Sequence, residues 1–361
     1  MLDSLRAVLK SRSALWAVSV TLAWSASALA AAPEIVVPNG GDVIVYQLPA
    51  GTAALKARST TAQAPLDRVE ALLKRFDEQG NPRLLGDVQR LLDSLGPAAR
   101  DGRFYIYRAR LRQSLHQFDD AMVDLKRALK TSEWRHQALL LAFNGELVRG
   151  NYQSARRYCG QLAALRDDLY AVSCRAHLDA VGGAADGALT AIKQAMAQAL
   201  LSQDSQARHW ALTTAADIAE RAGDDAQAAQ LWRLAMRLRP GDRYATGRLC
   251  NNLLNQDNAT DAVLTLTQGR NDLDTLVVCR ARALARQNRG QELAAQLQQR
   301  FDEAKWRGEV LHKRTLAEYL LYVADRPAEA LQVARDNWQS QREWPDRQLL
   351  LAAERASGEQ P

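Results

Sequence analysis

The feature that most constrains this chain is a recurrence. From residue 101 onward a short break is followed, again and again, by an Ala at the start of the next apolar-periodic stretch. The breaks read HQFDDA to Ala121, GNYQSA to Ala155, GGAADGA to Ala188, GDDAQA to Ala228, QDNATDA to Ala262, NRGQELA to Ala294 and DRPAEA to Ala330. Successive intervals are 34, 33, 40, 34, 32 and 36 residues. Such a period is too short for a series of βαβ units and matches pairs of helices of about 14 residues each. A small residue early in the second helix lets two antiparallel helices approach closely.

The rest of the chain agrees with helices. Ala, Leu, Gln and Arg, all good helix formers, dominate a composition that is 47% hydrophobic and only 6% aromatic. Before the recurrence, Leu66, Val69, Leu72, Leu73 and Phe76 fall on one helical face, and Gly80-Asn81-Pro82 breaks it. Leu84, Leu85, Val88, Leu91, Leu92 and Leu95 form the next face, which Gly96-Pro97 ends. Residues 34–47 differ, and read as two short strands around Asn39-Gly40. Residues 48–65, rich in Pro, Gly, Ser and Thr, read as a linker.

The repeat resembles the tetratricopeptide repeat family, whose units combine a period of 34 with small and large apolar residues at set places. The best unit is 209–242, with Leu212 and Ala215 in the first helix, Gly223 before the break and Asp224-Asp225 in the turn. Ala228, Trp232 and Ala235 line its second helix, and Pro240 closes it. Unit 102–130 supplies Tyr105, Ala109, Phe118, Ala121, Leu125 and Ala128, and unit 169–201 supplies Ala176, Ala188, Ile192 and Ala195. Two departures stand out: Phe143 where a small residue is expected, and Gly269 inside an expected second helix. The run RARLRQSLHQFDDAMVDLKRAL at 108–129, with Cys159 and Cys174 after it, is similar to exported repeat proteins of proteobacterial type with no assigned function. The resemblance implies an all-α fold, a right-handed superhelical solenoid of antiparallel helix pairs, preceded by a short N-terminal β-hairpin or extended segment. It also implies a concave face lined by first helices that takes a protein or peptide segment.

The expected organisation is a signal peptide at 1–30, a strand pair and linker at 31–65, a degenerate helix pair at 66–100, the repeat array at 101–340, and a C-terminal capping helix and tail at 341–361. Arg6, Lys10 and Arg12 precede an apolar stretch containing LWAVSVTLA, and Ala28-Leu29-Ala30 has the small-x-small pattern of a cleavage site. Export to the periplasm or beyond follows from this reading, with no membrane span left after removal. The formal charge of +6 falls to about +4 without residues 1–30, which carry Arg6, Lys10, Arg12 and Asp3. So mild a balance, with no basic stripe, argues against nucleic acid as partner.

An oxidising compartment gives meaning to the four cysteines. Cys159 and Cys174 fall on antiparallel neighbouring helices, and Cys250 and Cys279 on the first helices of successive units. Each pair can form a bridge; the alternative is four small buried hydrophobes. No C-x-x-C or H-E-x-x-H spacing offers a metal site, and no G-x-S-x-G, G-x-G-x-x-G or P-loop is present. The pairs Asp119-Asp120, Asp167-Asp168 and Asp224-Asp225 stand at helix starts, where capping explains them. The expectation is therefore a binding protein, with no cofactor, no metal and no catalysis.

First helices carry Arg108, Arg110, Arg112, Arg175, Arg248, Arg280 and Arg282, beside Tyr105, Asn144 and Tyr244. Arg108 and Arg112, four apart, share a face. Arg108, Arg112, Arg175, Tyr105 and Asn144 are the expected groove residues, suited to an acidic or carboxylate-bearing segment. The rival ligand is an envelope polymer, peptidoglycan or a secreted polysaccharide, for which the low aromatic content is unfavourable.

Overall fold

The computed structural model describes residues 65–165, 168–199, 204–256, 259–307 and 312–358. The expected leader at 1–30 and strand pair at 34–47 lie outside them. The described residues contain no strand and form an all-α solenoid of paired antiparallel helices, as the recurrence predicts.

A first pair, α1 (Pro65–Gln79) and α2 (Arg83–Asp93), precedes α3 (Gly102–Ser114) and α4 (Phe118–Ala128). Next come α5 (Arg135–Val148) with α6 (Tyr152–Leu165), α7 (Leu169–Val181) with α8 (Ala185–Gln198), and α9 (Ser205–Arg221) with α10 (Asp225–Leu238). The array continues through α11 (Arg243–Asn255) with α12 (Thr260–Thr267) and α13 (Asp274–Ala285) with α14 (Gln291–Trp306). It ends in α15 (Lys313–Tyr322) with α16 (Pro327–Trp338), and the lone α17 (Trp344–Ser357). Each helix packs on its pair-mate, and first helices lie side by side at α1–α3, α3–α5, α7–α9, α11–α13 and α13–α15.

Local chemistry sets the boundaries. Asp101, Asp168, Asp204, Asp224 and Asp242 each accept a hydrogen bond from a backbone N–H in the first turn of the helix they precede. In six pairs of the array the first helix runs into a left-handed residue, His116, Gly150, Gly183, Gly223, Asn288 or Asp325, and Gly80 takes the same conformation after α1. After five of the six, the next backbone N–H reaches back five residues, as from Gln117 to the carbonyl of Arg112 and from Asp224 to that of Ala219. The buried small residue follows the left-handed one by five places, giving Ala121, Ala155, Ala188, Ala228 and Ala330, all buried.

Two units depart from the expected register. Five places after Asn288 stands Leu293, and it and Ala294 are both only half-buried, so this unit lacks the buried residue that the others have at that place. Ala262 is exposed, and Val263 beside it takes the wholly buried position. Gly269 lies outside its helix, because α12 stops at Thr267 and Gly269 takes φ +71° beyond it. Phe143 is fully buried, its ring edge-on to Trp210 at 5.9 Å, so one large residue fills the space between two units.

Buried side chains form three successive clusters, centred on α1–α5, α5–α13 and α13–α17. Both expected bridges are present. Cys159 on α6 is bonded to Cys174 on α7, with Cα atoms 5.8 Å apart, and Cys250 on α11 to Cys279 on α13, at 6.3 Å. No described helix is long and apolar enough to cross a membrane.

Candidate functional site

Two polar clefts open on the faces of first helices. In α7, α9 and α11, residues four apart point the same way: His177 with Val181, Asp217 with Arg221, and Tyr244 with Arg248. Arg248 is the hub of this face. Its guanidinium bonds to Asp217 and Glu220, donates to the Tyr244 hydroxyl at 2.9 Å, and lies 5.1 Å from the centre of the Trp232 ring. The Trp232 indole N–H donates to Glu220 at 2.7 Å. Burial works against the Arg248 charge, but Asp217 and Glu220 outweigh it and hold its pKa well above the ordinary value. Burial also raises the Glu220 pKa and lowers that of His177.

Arg221 differs from its neighbour. No carboxylate lies within ion-pair distance of it among the described residues; its guanidinium sits 4.7 Å from the centre of the Trp344 ring. Burial lowers its pKa; Tyr152 and Asp217 oppose this, and the charges of Arg248 and Arg347 add to it. The cleft is closed on one side by Arg342, Glu343 and Trp344, from the turn between α16 and α17. Glu343 there is paired with Arg314, at 2.5 Å, and with Asp346 it completes a capping box at the start of α17. Burial opposes the Glu343 charge, yet Arg314 holds its pKa below the usual carboxylate range.

The second cleft, of about 460 Å³, lies where α1, α3 and the start of α5 meet. Arg103, Tyr107 and Arg110 share one face of α3. Arg103 pairs with Asp67 and Glu70, both at 2.7 Å, and Arg110 with Asp77 at 2.7 Å. The Tyr107 hydroxyl donates to Glu70 at 2.7 Å, and this bond, with that from Arg103, keeps the Glu70 pKa low. Burial lifts the Tyr107 pKa to about 12. Trp134 and Gln137 complete the wall.

The five expected groove residues do not converge. Arg108 and Arg112 turn toward the second helix of their own unit, where both bind Asp124 on α4, at 2.6 Å each. Tyr105 is half-buried, its ring edge-on to Phe104 and near the guanidinium groups of Arg108 and Arg127. Asn144 is half-buried on α5, and Arg175 is exposed on α7. None of the five lines either cleft. The residues that do include Arg248 and Arg110, already visible as first-helix arginines, and Arg221, Arg103, Trp134 and Trp344, which were not singled out. The i, i+4 rows Arg103–Tyr107 and Asp217–Arg221 were the available signal. Among the described residues no group of three or more His, Cys, Asp or Glu side chains is placed to hold a metal ion.

No protein-family model matches the chain, and no curated protein matches it. Among solved structures, a Rap protein crystallised with competence and sporulation factor is similar at 14% identity, over 85% of this chain and 92% of its own, with a TM-score of 0.42. The TPR domain of P58(IPK) is similar at 14% identity, over 82% of this chain and 99% of its own, with a TM-score of 0.23.

Proposed function

We propose that this chain is an exported scaffold or adaptor, acting in the periplasm or beyond, which holds a protein or peptide segment against the faces of its first helices. The observation that carries the reading is the face where α7, α9 and α11 meet: His177 on the first, Asp217 and Arg221 on the second and Tyr244 and Arg248 on the third supply charged and aromatic groups on one surface, with Arg248 bonded across to Asp217. Such a surface spreads contacts over several units, as recognition of an extended chain requires. The basic and apolar lead before Ala28-Leu29-Ala30 supports export, and two disulfides suit an oxidising compartment. Arg175, Asn144 and Tyr105 are proposed as secondary contacts; Arg108 and Arg112 would contribute only by giving up part of their bond to Asp124.

A second reading, binding of peptidoglycan or a secreted polysaccharide, draws on the open cleft at α1, α3 and α5. There a half-buried Trp134 stands beside Tyr107, Arg103, Glu70 and Gln137, a mix of ring face and planar polar groups able to take a sugar. Recovery of the full chain on envelope extracts separates the two. Enrichment of a defined protein, lost on Arg221→Ala, supports the scaffold. Retention on insoluble polymer, lost on Trp134→Ala, supports the second reading and removes the first.

A further inference from the structure

The turn between α16 and α17 lies on the inner face of units more than a hundred residues earlier. The Arg342 backbone N–H donates to the Val148 carbonyl, at the end of α5, at 2.6 Å. The Tyr152 hydroxyl lies 3.5 Å from the Arg342 carbonyl. The side chain of Arg342 passes over Gly150, where a Cβ would come within 2.8 Å of its Cδ. Glu343, paired with Arg314, lines the cleft with His177 and Arg248, and Trp344 covers Arg221, which has no carboxylate within ion-pair distance among the described residues. Three consecutive residues, ending on the first residue of α17, are therefore each read by a distant part of the array: a backbone N–H by a carbonyl of α5, a carboxylate by Arg314 of α15 with the charge of Arg248 beyond it, and a ring by the guanidinium face of Arg221.

We infer that this face recognises an extended segment in which a carboxylate stands next to an aromatic ring, and that Arg342-Glu343-Trp344 occupies the place in cis. The inference rests on the peptide-binding reading above and specifies its partner: a protein segment of the same acidic and aromatic chemistry, which displaces the chain's own. The occupied site also accounts for Arg221. Its desolvated guanidinium lies near Arg248 and Arg347, is favoured by Asp217 and Tyr152 without an ion pair to either, and has in the Trp344 ring a weaker partner than a paired carboxylate. The intramolecular segment starts from a high effective concentration, so a partner must offer what Trp344 does not, a carboxylate for Arg221.

The test uses the full chain and a labelled peptide of residues 339–348, QSQREWPDRQ, followed by fluorescence anisotropy. Trp344→Ala leaves Glu343, Asp346 and the capping box in place, and is expected to bind the peptide at least tenfold more tightly than the wild type. The double variant Arg221→Ala with Trp344→Ala is expected to lose that gain. No gain in Trp344→Ala, or equal gain in the double variant, overturns the inference. If Trp344→Ala does not fold, wild type decides: excess of the same peptide carrying Trp344→Asp, which supplies the carboxylate that Arg221 lacks, should accelerate hydrogen exchange of the Arg342 amide at least tenfold, and unchanged exchange overturns it. None of these outcomes depends on recovering a natural partner, so they stand apart from the extract experiment.

Discussion

Asp124 is wholly buried on α4, and two guanidinium groups from α3 meet its charge: Arg108 through a bidentate pair at 2.6 and 2.9 Å, Arg112 through a single bond at 2.6 Å. Arg112 also donates to the Asp120 carbonyl, so it braces the turn of the pair as well. A carboxylate out of water costs several kcal/mol unless it is paired and fully hydrogen-bonded. Read from the sequence alone, Arg108 and Arg112 look removable, because four-residue spacing establishes a common face without saying what that face meets. The placement of Asp124 reverses that expectation. Arg108→Ala with Arg112→Ala should destabilise the fold by about 3–5 kcal/mol, the cost of stranding a buried charge, seen as a lower urea midpoint. Arg175→Ala, at an exposed position, should shift that midpoint by less than about 0.5 kcal/mol. A double variant as stable as wild type would show that Asp124 does not need its partners.

At the scale of the helix pair, the left-handed residue governs more than the Ala that follows it. The Ala motif locates every pair after the first, yet it misses the buried position of α12 by one residue and meets only half-buried residues in α14, because recurrence of a residue type is an indirect mark of a geometric position. Counting five from the left-handed residue reaches a buried Ala in five units and the half-buried Leu293 in the sixth. That count was hard to make in advance, since the left-handed place is held by His116, Asn288 and Asp325 as well as by glycine. Asn and Asp tolerate this conformation through their short polar side chains; His is a rarer occupant. The register is testable by a matched pair of substitutions. Ala228 is fully buried between α9 and α10, so Ala228→Leu should overpack and cost about 1–3 kcal/mol. Ala262 is exposed, so Ala262→Leu should stay within about 0.5 kcal/mol of wild type. Equal losses in urea denaturation would refute the register of α12. Cysteine pairing, by contrast, was legible early, because it needs only adjacency, of consecutive helices for Cys159 and Cys174 and of the first helices of successive units for Cys250 and Cys279.

The contacts that bring distant units together were not legible at all. A repeat pattern specifies how each helix meets its neighbours in sequence; how far the array curls depends on small angles that accumulate over many units. The curl here is tight enough for three meetings across the array. The Arg243 side chain, at the start of α11, donates to the Phe76 carbonyl at 2.6 Å and lies 5.2 Å from the Phe76 ring centre. His116, in the turn of α3 and α4, meets His312 before α15, with ring centres 5.6 Å apart. Arg342 reaches Val148, as described above. In a strictly linear array α1 is a terminal element, held only by α2 and α3, and it would fray independently of everything beyond them. Here its C-terminal end is also pinned by Arg243, which gives up part of its hydration to reach Phe76: its pKa is lowered by burial, and its Nε has no partner. That burial is compensated only if the contact holds α1 in place. Arg243→Ala should then speed amide hydrogen exchange through residues 73–79 of α1 about tenfold or more, which corresponds to a loss of at least about 1.4 kcal/mol in local opening. Exchange in α8, which touches neither residue, should stay as it is. Unchanged exchange in α1 would mean that the array behaves as a linear stack despite its curl, and that the meeting of Arg243 with Phe76 contributes nothing to holding its first pair.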